Sequence, residues 1–273
     1  MRIKDSTQQE LRAVAHRLAD AAREATLRHF RRPLAPENKN GPGGGAGADG
    51  ALFDPVTVAD RESEAAMRAI LARERPRDAI LGEEFAPQAG ESGLTWVLDP
   101  IDGTRAYLCG APTWGVLVAV ADEDGPIYGI IDQPHIGERF EGGFGMAQVT
   151  GPAGVAGLRA RTGRALHEAT LLTTFPEIGT QDEYHAFRRV AGKVQLARYG
   201  LDCYAYALVA AGQVDLVIEA GLHPFDVNAP IAVIEAAGGV VTDWQGGRAD
   251  QGGRILAAGS PELHAEALAL LRD

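Results

Sequence analysis

The apolar run Trp96-Val97-Leu98 has the character of a buried strand, and it delivers the chain directly into Asp99-Pro100-Ile101-Asp102-Gly103-Thr104. In layered α/β folds the carboxyl ends of such strands are where ligands gather, which puts Asp99 at a candidate active-site rim. Pro100 cannot continue the ladder, and a three-residue step returns Asp102 to the side of Asp99 if the segment turns into a helix. Two like charges roughly 4 Å apart, at an effective dielectric near 20, repel by about 4 kcal/mol, so the pair calls for a cation or a shared proton. Oxygen-only donors favour a hard ion such as Mg²⁺. Gly103 and Thr104 fall on what reads as a first helical turn, where free N–H groups and the positive end of the dipole suit a phosphate. An isolated D-x-x-D is more often a turn followed by an N-cap, so the rest of the chain has to decide.

With 273 residues, 45% of them hydrophobic, the chain can build one large domain or two closely packed halves. A net charge of -11 argues against nucleic-acid and anionic-membrane partners, which are gripped by clustered Lys and Arg. Cys109 and Cys203 are too few for a disulfide framework and suit a reducing cytosol. No leading signal region and no membrane-spanning apolar run is evident, so a cytoplasmic location is expected.

Leu11, Val14, Ala15, Leu18, Ala22 and Ala25 recur at helical spacing after the candidate cap Ser6, predicting a helix over residues 6–30. Gly41 to Gly50 is a Gly-rich loop that lacks the G-K-[ST] ending of a P-loop. Lys39, just ahead of it, is an auxiliary candidate for reaching into a site, although a solvated Lys is the commoner outcome. A second helix follows Asp54-Pro55-Val56-Thr57-Val58-Ala59-Asp60, capped by Thr57 or Asp60, and runs to about Arg75. Ala79-Ile80-Leu81 reads as a strand ending in Gly82-Glu83-Glu84. Residues 115–121 and 127–131 read as a hairpin, and 145–165 as a loop-rich boundary between halves. From Thr170 onward strands and helices alternate, with Pro at the first position of a final helix after Ser260. Layered α/β is the resulting fold class.

Other chemistries lack their residues. A cysteine phosphatase needs Arg six positions after its nucleophile, where Gly115 and Val209 stand. Asp122-Glu123-Asp124-Gly125-Pro126 fits a hairpin turn better than an aspartyl nucleophile. No G-x-S-x-G elbow occurs, and the histidines show no paired zinc spacing.

What remains is a dispersed set of acids, Asp60, Glu83, Asp99, Asp102 and Asp226, at strand ends and turns. Together with Gly82-Glu83-Glu84, Phe225-Asp226-Val227 and Glu235-Ala236-Ala237-Gly238-Gly239, they make a pattern that resembles the inositol monophosphatase superfamily nearly end to end. Within it, Thr104-Arg105-Ala106-Tyr107, Gly129-Ile130-Ile131-Asp132-Gln133-Pro134 and Gly200-Leu201-Asp202-Cys203-Tyr204-Ala205-Tyr206 look most like the histidinol-phosphate phosphatase branch.

The resemblance implies a five-layer αβαβα sandwich and a single catalytic domain over 1–273, with a metal- and phosphate-binding part at 1–150 and a substrate-recognition part at 151–273. It implies Mg²⁺-dependent hydrolysis of a small phosphorylated metabolite, with two or three ions for which Mn²⁺ can substitute, and a homodimer. Glu83, Asp99, the Ile101 carbonyl, Asp102 and Asp226 would hold metal. Glu83 and Thr104 would orient the water, with Asp60 behind Thr104, and Asp102, Gly103, Thr104, Gly200, Asp202 and Glu219 would contact substrate. An acid at Asp202 near Glu219 suits a substrate carrying an ammonium and an imidazole, although Asp202 reads equally as a helix N-cap. Alternative readings are an inositol or other sugar-phosphate phosphatase, a 3′-phosphoadenosine nucleotide phosphatase, and a catalytically silent binding protein.

Overall fold

The structure is a computed structural model and describes residues 4–39 and 55–272. The Gly-rich loop 41–50 and Asp54 of the second helix's approach lie outside the described residues.

Helix α1 (Asp5–His29) buries Leu11, Val14, Ala15, Leu18, Ala22 and Ala25, the positions its spacing predicts. Ser6 is not its cap: the helix starts one residue earlier, with Lys4 in the extended N-cap position, so Ser6 lies in the first turn. The short strands β1 (Glu37–Asn38) and β2 (Pro55–Val56) pair antiparallel. Helix α2 (Val58–Glu74) opens on a capping box in which both candidate caps take part. The Thr57 hydroxyl accepts the Ala59 N–H at 3.1 Å, and Asp60 Oδ2 accepts the Thr57 N–H at 2.8 Å.

Next come β3 (Ala79–Gly82), β4 (Thr95–Asp102), the short helix α3 (Thr104–Leu108), β5 (Gly115–Asp122), β6 (Gly125–Gln133), β7 (Glu138–Gly143), β8 (Met146–Gly151) and β9 (Gly154–Gly157). The strands form a seven-stranded sheet in sequential order, β3 parallel to β4 and every other pair antiparallel. Residues 145–165 are thus not simply loop. Ladder bonds from β7 to β8 and from β8 to β9 make this stretch a meander at the sheet edge, with Gly145 in one turn and Gly151 and Gly154 flanking the other.

The remainder is β10 (Thr170–Thr173), α4 (Gln181–Ala191), β11 (Leu196–Tyr199), α5 (Cys203–Ala210), β12 (Leu216–Leu222), α6 (Pro224–Ala236), β13 (Val240–Asp243), β14 (Gly253–Ala258) and α7 (Pro261–Arg272). These strands make a mixed sheet of order β11-β10-β12-β14-β13.

The alternation along β4 builds the layers. Trp96 and Leu98 face α1 and α2, packing with Leu18, Met67 and Leu71. Val97 faces the other way, into a core that α5 and α6 share with both sheets through Leu117, Val209, Val233, Val217 and Ile255. The far face of the second sheet packs Leu171, Leu216 and Ile218 against Phe187 of α4 and Leu263 of α7. Helices, sheet, helices, sheet, helices: the five-layer αβαβα order follows from which face each strand residue presents. Among the described residues, no helix is long and apolar enough to cross a membrane.

Helix α6 lies unusually close to the first sheet because two glycines let it. A Cβ at Gly129 would come within 2.6 Å of the Ala229 carbonyl oxygen, and one at Gly142 within 2.6 Å of Val233 Cα. Backbone cannot yield as a flexible side chain can. Gly129→Ala should therefore lower the urea midpoint by the equivalent of about 1–3 kcal/mol, the usual cost of overpacking, with an unchanged m-value; an unaltered midpoint would show that α6 shifts freely.

Candidate active site

The mouth of β4 is shaped by an irregular register. Asp99 pairs with Leu117 and Asp102 with Gly115, so three steps on β4 face two on β5. Pro100 sits in this bulge, where no ladder donor is needed. Asp102 therefore returns to the side of Asp99 through a bulge within the strand, before the helical turn that the sequence spacing suggests. The Ile101 N–H donates to Asp99 Oδ1 at 2.9 Å, holding the first carboxylate inward.

Asp226 arrives from the opposite direction, at the third residue of α6, where its Oδ2 accepts the His223 N–H at 2.6 Å. Oxygens of Asp99, Asp102 and Asp226 lie within 4.8 Å of one another. The Cys203 N–H donates to Asp102 Oδ2 at 2.5 Å and so ties the start of α5 to the same cluster.

Glu83 follows the last residue of β3, and its charge acts on Asp99 and Asp226. Lys39 does reach the site: its ammonium donates to Glu83 Oε1 at 2.7 Å and to Glu84 Oε1 at 2.6 Å. Thr104 opens α3 after Gly103, whose φ of 83° is left-handed. Its hydroxyl donates to the Ile101 carbonyl at 3.1 Å and stands 3.5 Å from Asp60 Oδ1. The other Asp60 oxygen is held by the Thr57 N–H and hydroxyl, so Asp60 is both a helix cap and the residue behind Thr104.

Asp202 does not cap α5 with its side chain. It adopts φ 49° and ψ -142°, a backbone costing of order 1–3 kcal/mol for a residue with a Cβ. That conformation lays its carboxylate over Gly103, where a Cβ would sit 2.7 Å from Asp202 Cγ, and within 3.3 Å of the Thr113 hydroxyl. Only glycine fits at 103. Gly200 closes the second sheet's end, its N–H donating to the Thr173 carbonyl at 3.1 Å. Glu219 is buried and engaged: Oε1 accepts the Thr174 N–H at 2.9 Å, and Oε2 accepts the Tyr206 hydroxyl at 2.9 Å.

Three residues absent from the sequence-based site, Arg105, Phe175 and Cys203, join it here. The Arg105 guanidinium lies 5.1 Å from the Phe175 ring centre; burial holds the Asp202 carboxyl above the usual carboxylate range, and the Thr113 hydroxyl and the Arg105 charge oppose that rise. Cys203 supplies the N–H that fixes Asp102. Arg105 directly follows Gly103-Thr104, which is a usable signal; nothing local marks Phe175.

The electrostatics are those of concentrated negative charge. Burial, then the fields of Glu83, Asp102 and Asp226, hold Asp99 well above the usual carboxylate range. Burial, then Asp202 and Asp226, do the same to Asp102. Burial raises Asp226 to about 7 against the lowering effect of the His223 N–H, and it raises Asp60 to about 6 against the Thr57 hydrogen bonds. Converging hard oxygen donors whose mutual repulsion resists ionisation fit a divalent cation of the Mg²⁺ or Mn²⁺ kind.

A family model described as the inositol monophosphatase family matches residues 7–273. The chain is similar to the bifunctional phosphatase IMPL2 of Arabidopsis thaliana, 37% identical over 97% of this chain and 76% of that protein. It is also similar to the histidinol-phosphatase of Streptomyces coelicolor, 34% identical over 95% of this chain and 96% of the other. The inositol-1-monophosphatase of Mycobacterium leprae is 32% identical over 100% of this chain and 97% of its own. Among solved structures, an inositol monophosphatase from Zymomonas mobilis superposes with a TM-score of 0.83 at 35% identity, covering 99% of this chain and 100% of that one.

A folded-state carboxyl raised to about 7 from an ordinary 3.8 binds its proton more tightly in the native state, so stability falls as pH rises through that interval. In chelator, the melting temperature should drop between about pH 4 and pH 7, Asp226→Asn should flatten that slope, and added Mg²⁺ should oppose it. A slope identical in wild type and variant would remove Asp226 from the acidic cluster.

Proposed function

The chain belongs to the inositol monophosphatase family of metal-dependent phosphatases, and on that premise we propose that it hydrolyses histidinol phosphate to histidinol and phosphate, with Mg²⁺ as its metal and residues 1–273 acting as one catalytic unit. One observation carries the choice of substrate. The Asp202 carboxyl is held by a strained backbone directly over Gly103, beside the candidate phosphate cradle, on the side that this reading gives to the leaving group. A substrate bearing an ammonium and an imidazole gains a charge-assisted hydrogen bond there, whereas an uncharged polyol needs hydroxyl-directed partners. The similarity to proteins named histidinol-phosphatase supports the same reading.

Glu83, Asp99, the Ile101 carbonyl, Asp102 and Asp226 would hold the ions. When bound, such ions supply charge neutralisation at the phosphoryl oxygens and acidify water at neutral pH. The protein's own groups do the rest. The Gly103 and Thr104 N–H groups donate to the phosphate at the opening of α3. The Thr104 hydroxyl, turning from the Ile101 carbonyl toward Asp60, gives its hydrogen to that carboxylate and leaves its oxygen to accept one from the attacking water. Glu83 takes the second position on that water, and the Lys39 ammonium stands 2.7 Å from Glu83 Oε1. Asp202 receives the cationic end of the substrate. Glu219 fixes the Thr174 turn that carries Phe175, and thereby the rim.

The direct test is phosphate release by the purified protein in Mg²⁺, histidinol phosphate against inositol 1-phosphate, with a chelator control. A large chelator-sensitive preference for histidinol phosphate is expected, and preference for the inositol ester would overturn the substrate. Asp202→Asn should raise KM selectively for histidinol phosphate; equal losses on a neutral ester would reduce Asp202 to a structural part. Asp60→Asn should lower kcat by something like the 10- to 100-fold typical of outer partners, and wild-type kinetics would leave Asp60 only its capping role.

A further inference from the structure

Glu83 sits on no regular element: β3 ends at Gly82, and the loop beyond has to be held by something else. What holds it is an ion pair on α2 between a buried Glu64 and a half-buried Arg68. Glu64, 0% exposed, presses its carboxylate against Gly82 so closely that a Cβ there would lie 2.0 Å from Glu64 Oε1. Glu64 Oε2 accepts the Glu84 N–H at 2.7 Å, and Oε1 accepts Arg68 Nε at 2.7 Å. Arg68 Nη2 reaches on to donate to the Phe85 carbonyl at 3.1 Å, with its guanidinium 5.8 Å from the Phe85 ring centre. The pair thus grips the chain at Gly82, Glu84 and Phe85, on both sides of Glu83.

We propose that Glu64 and Arg68 are positioning residues that set the metal affinity of the site by fixing the backbone around Glu83, a proposal that rests on the reading of Glu83 as a metal-holding acid. The spacing is part of the device. Asp60, Glu64 and Arg68 follow one another at four-residue intervals, so one stripe of α2 aligns the residue behind Thr104 and the loop that carries Glu83. A buried carboxylate is costly unless paired and hydrogen-bonded, and here Arg68 and the Glu84 N–H meet both needs. Without the clamp, Lys39, bonded to both Glu83 and Glu84, is free to draw the loop away from Asp99.

The test reads metal binding rather than turnover: titration of the chelated protein with Mn²⁺, followed by the electron paramagnetic resonance signal of the free ion. Glu64→Ala should weaken Mn²⁺ binding by roughly 10- to 100-fold, as loss of an outer-shell partner does, and Glu64→Gln, which keeps an acceptor for the Glu84 N–H, should recover most of it. Gly82→Ala should weaken binding by colliding with the carboxylate, yet add nothing in a Glu64→Ala background, where the space is free. Wild-type affinity in folded Glu64→Ala, equal losses in the Gln and Ala variants, or additive losses in the double variant would each overturn the clamp. Should Glu64→Ala fail to fold, Gly82→Ala decides alone: a loss supports the clamp and wild-type affinity refutes it. Glu83→Gln separates the two layers of inference. If it binds Mn²⁺ like wild type the metal-site reading itself fails, and if it loses Mn²⁺ while the clamp variants do not, only the clamp fails.

Discussion

Mutual repulsion among Asp99, Asp102 and Asp226 is the constraint around which the molecule is organised. Two of these acids lie on one strand and the third on a helix from the second half of the chain, and their oxygens come within 4.8 Å of each other. Left to themselves they would separate or take up protons, so each is restrained by backbone: Ile101 N–H on Asp99, Cys203 N–H on Asp102, His223 N–H on Asp226. Those three donors belong to the β4 bulge, the start of α5 and the start of α6. Holding the acids together therefore requires the central helices to dock against the first sheet with little tolerance.

The docking explains several glycines that would otherwise look incidental. Gly129 and Gly142 let α6 approach the sheet, and Gly115 admits the Cys203 thiol, whose Sγ would be 2.6 Å from a Cβ there. Gly103 yields its space to Asp202 and Gly82 to Glu64. Close approach, more than turn formation, is what these positions share. Only Gly103 of the five also needs its left-handed backbone.

Much of this was legible from residue order. Helical spacing located α1 and α2, and the Thr57 and Asp60 caps were both visible, though their joint capping box was not. The Trp96-Val97-Leu98 run predicted β4, and the D-x-x-D beyond it predicted converging acids. The β8–β9 meander was missed because its strands are short and glycine-bounded, and edge pairing to β7 decides them. Residue order likewise does not show the partners that hold Glu219, whose two oxygens accept from the Thr174 N–H and the Tyr206 hydroxyl.

The sequence by itself determined the donor chemistry: which acids exist, that they follow strand ends, and that Gly103-Thr104 opens a helix beneath them. Those facts depend on local periodicity and on side-chain type, which residue order contains. Tertiary structure alone decided that the β4 bulge, not a helical turn, returns Asp102 to Asp99. It alone turned Asp202 away from capping α5 and over Gly103, and set Glu64 under the loop that carries Glu83. Each of these outcomes depends on contacts between residues far apart in the chain, where strain or charge burial at one position is compensated by a partner that local order does not specify.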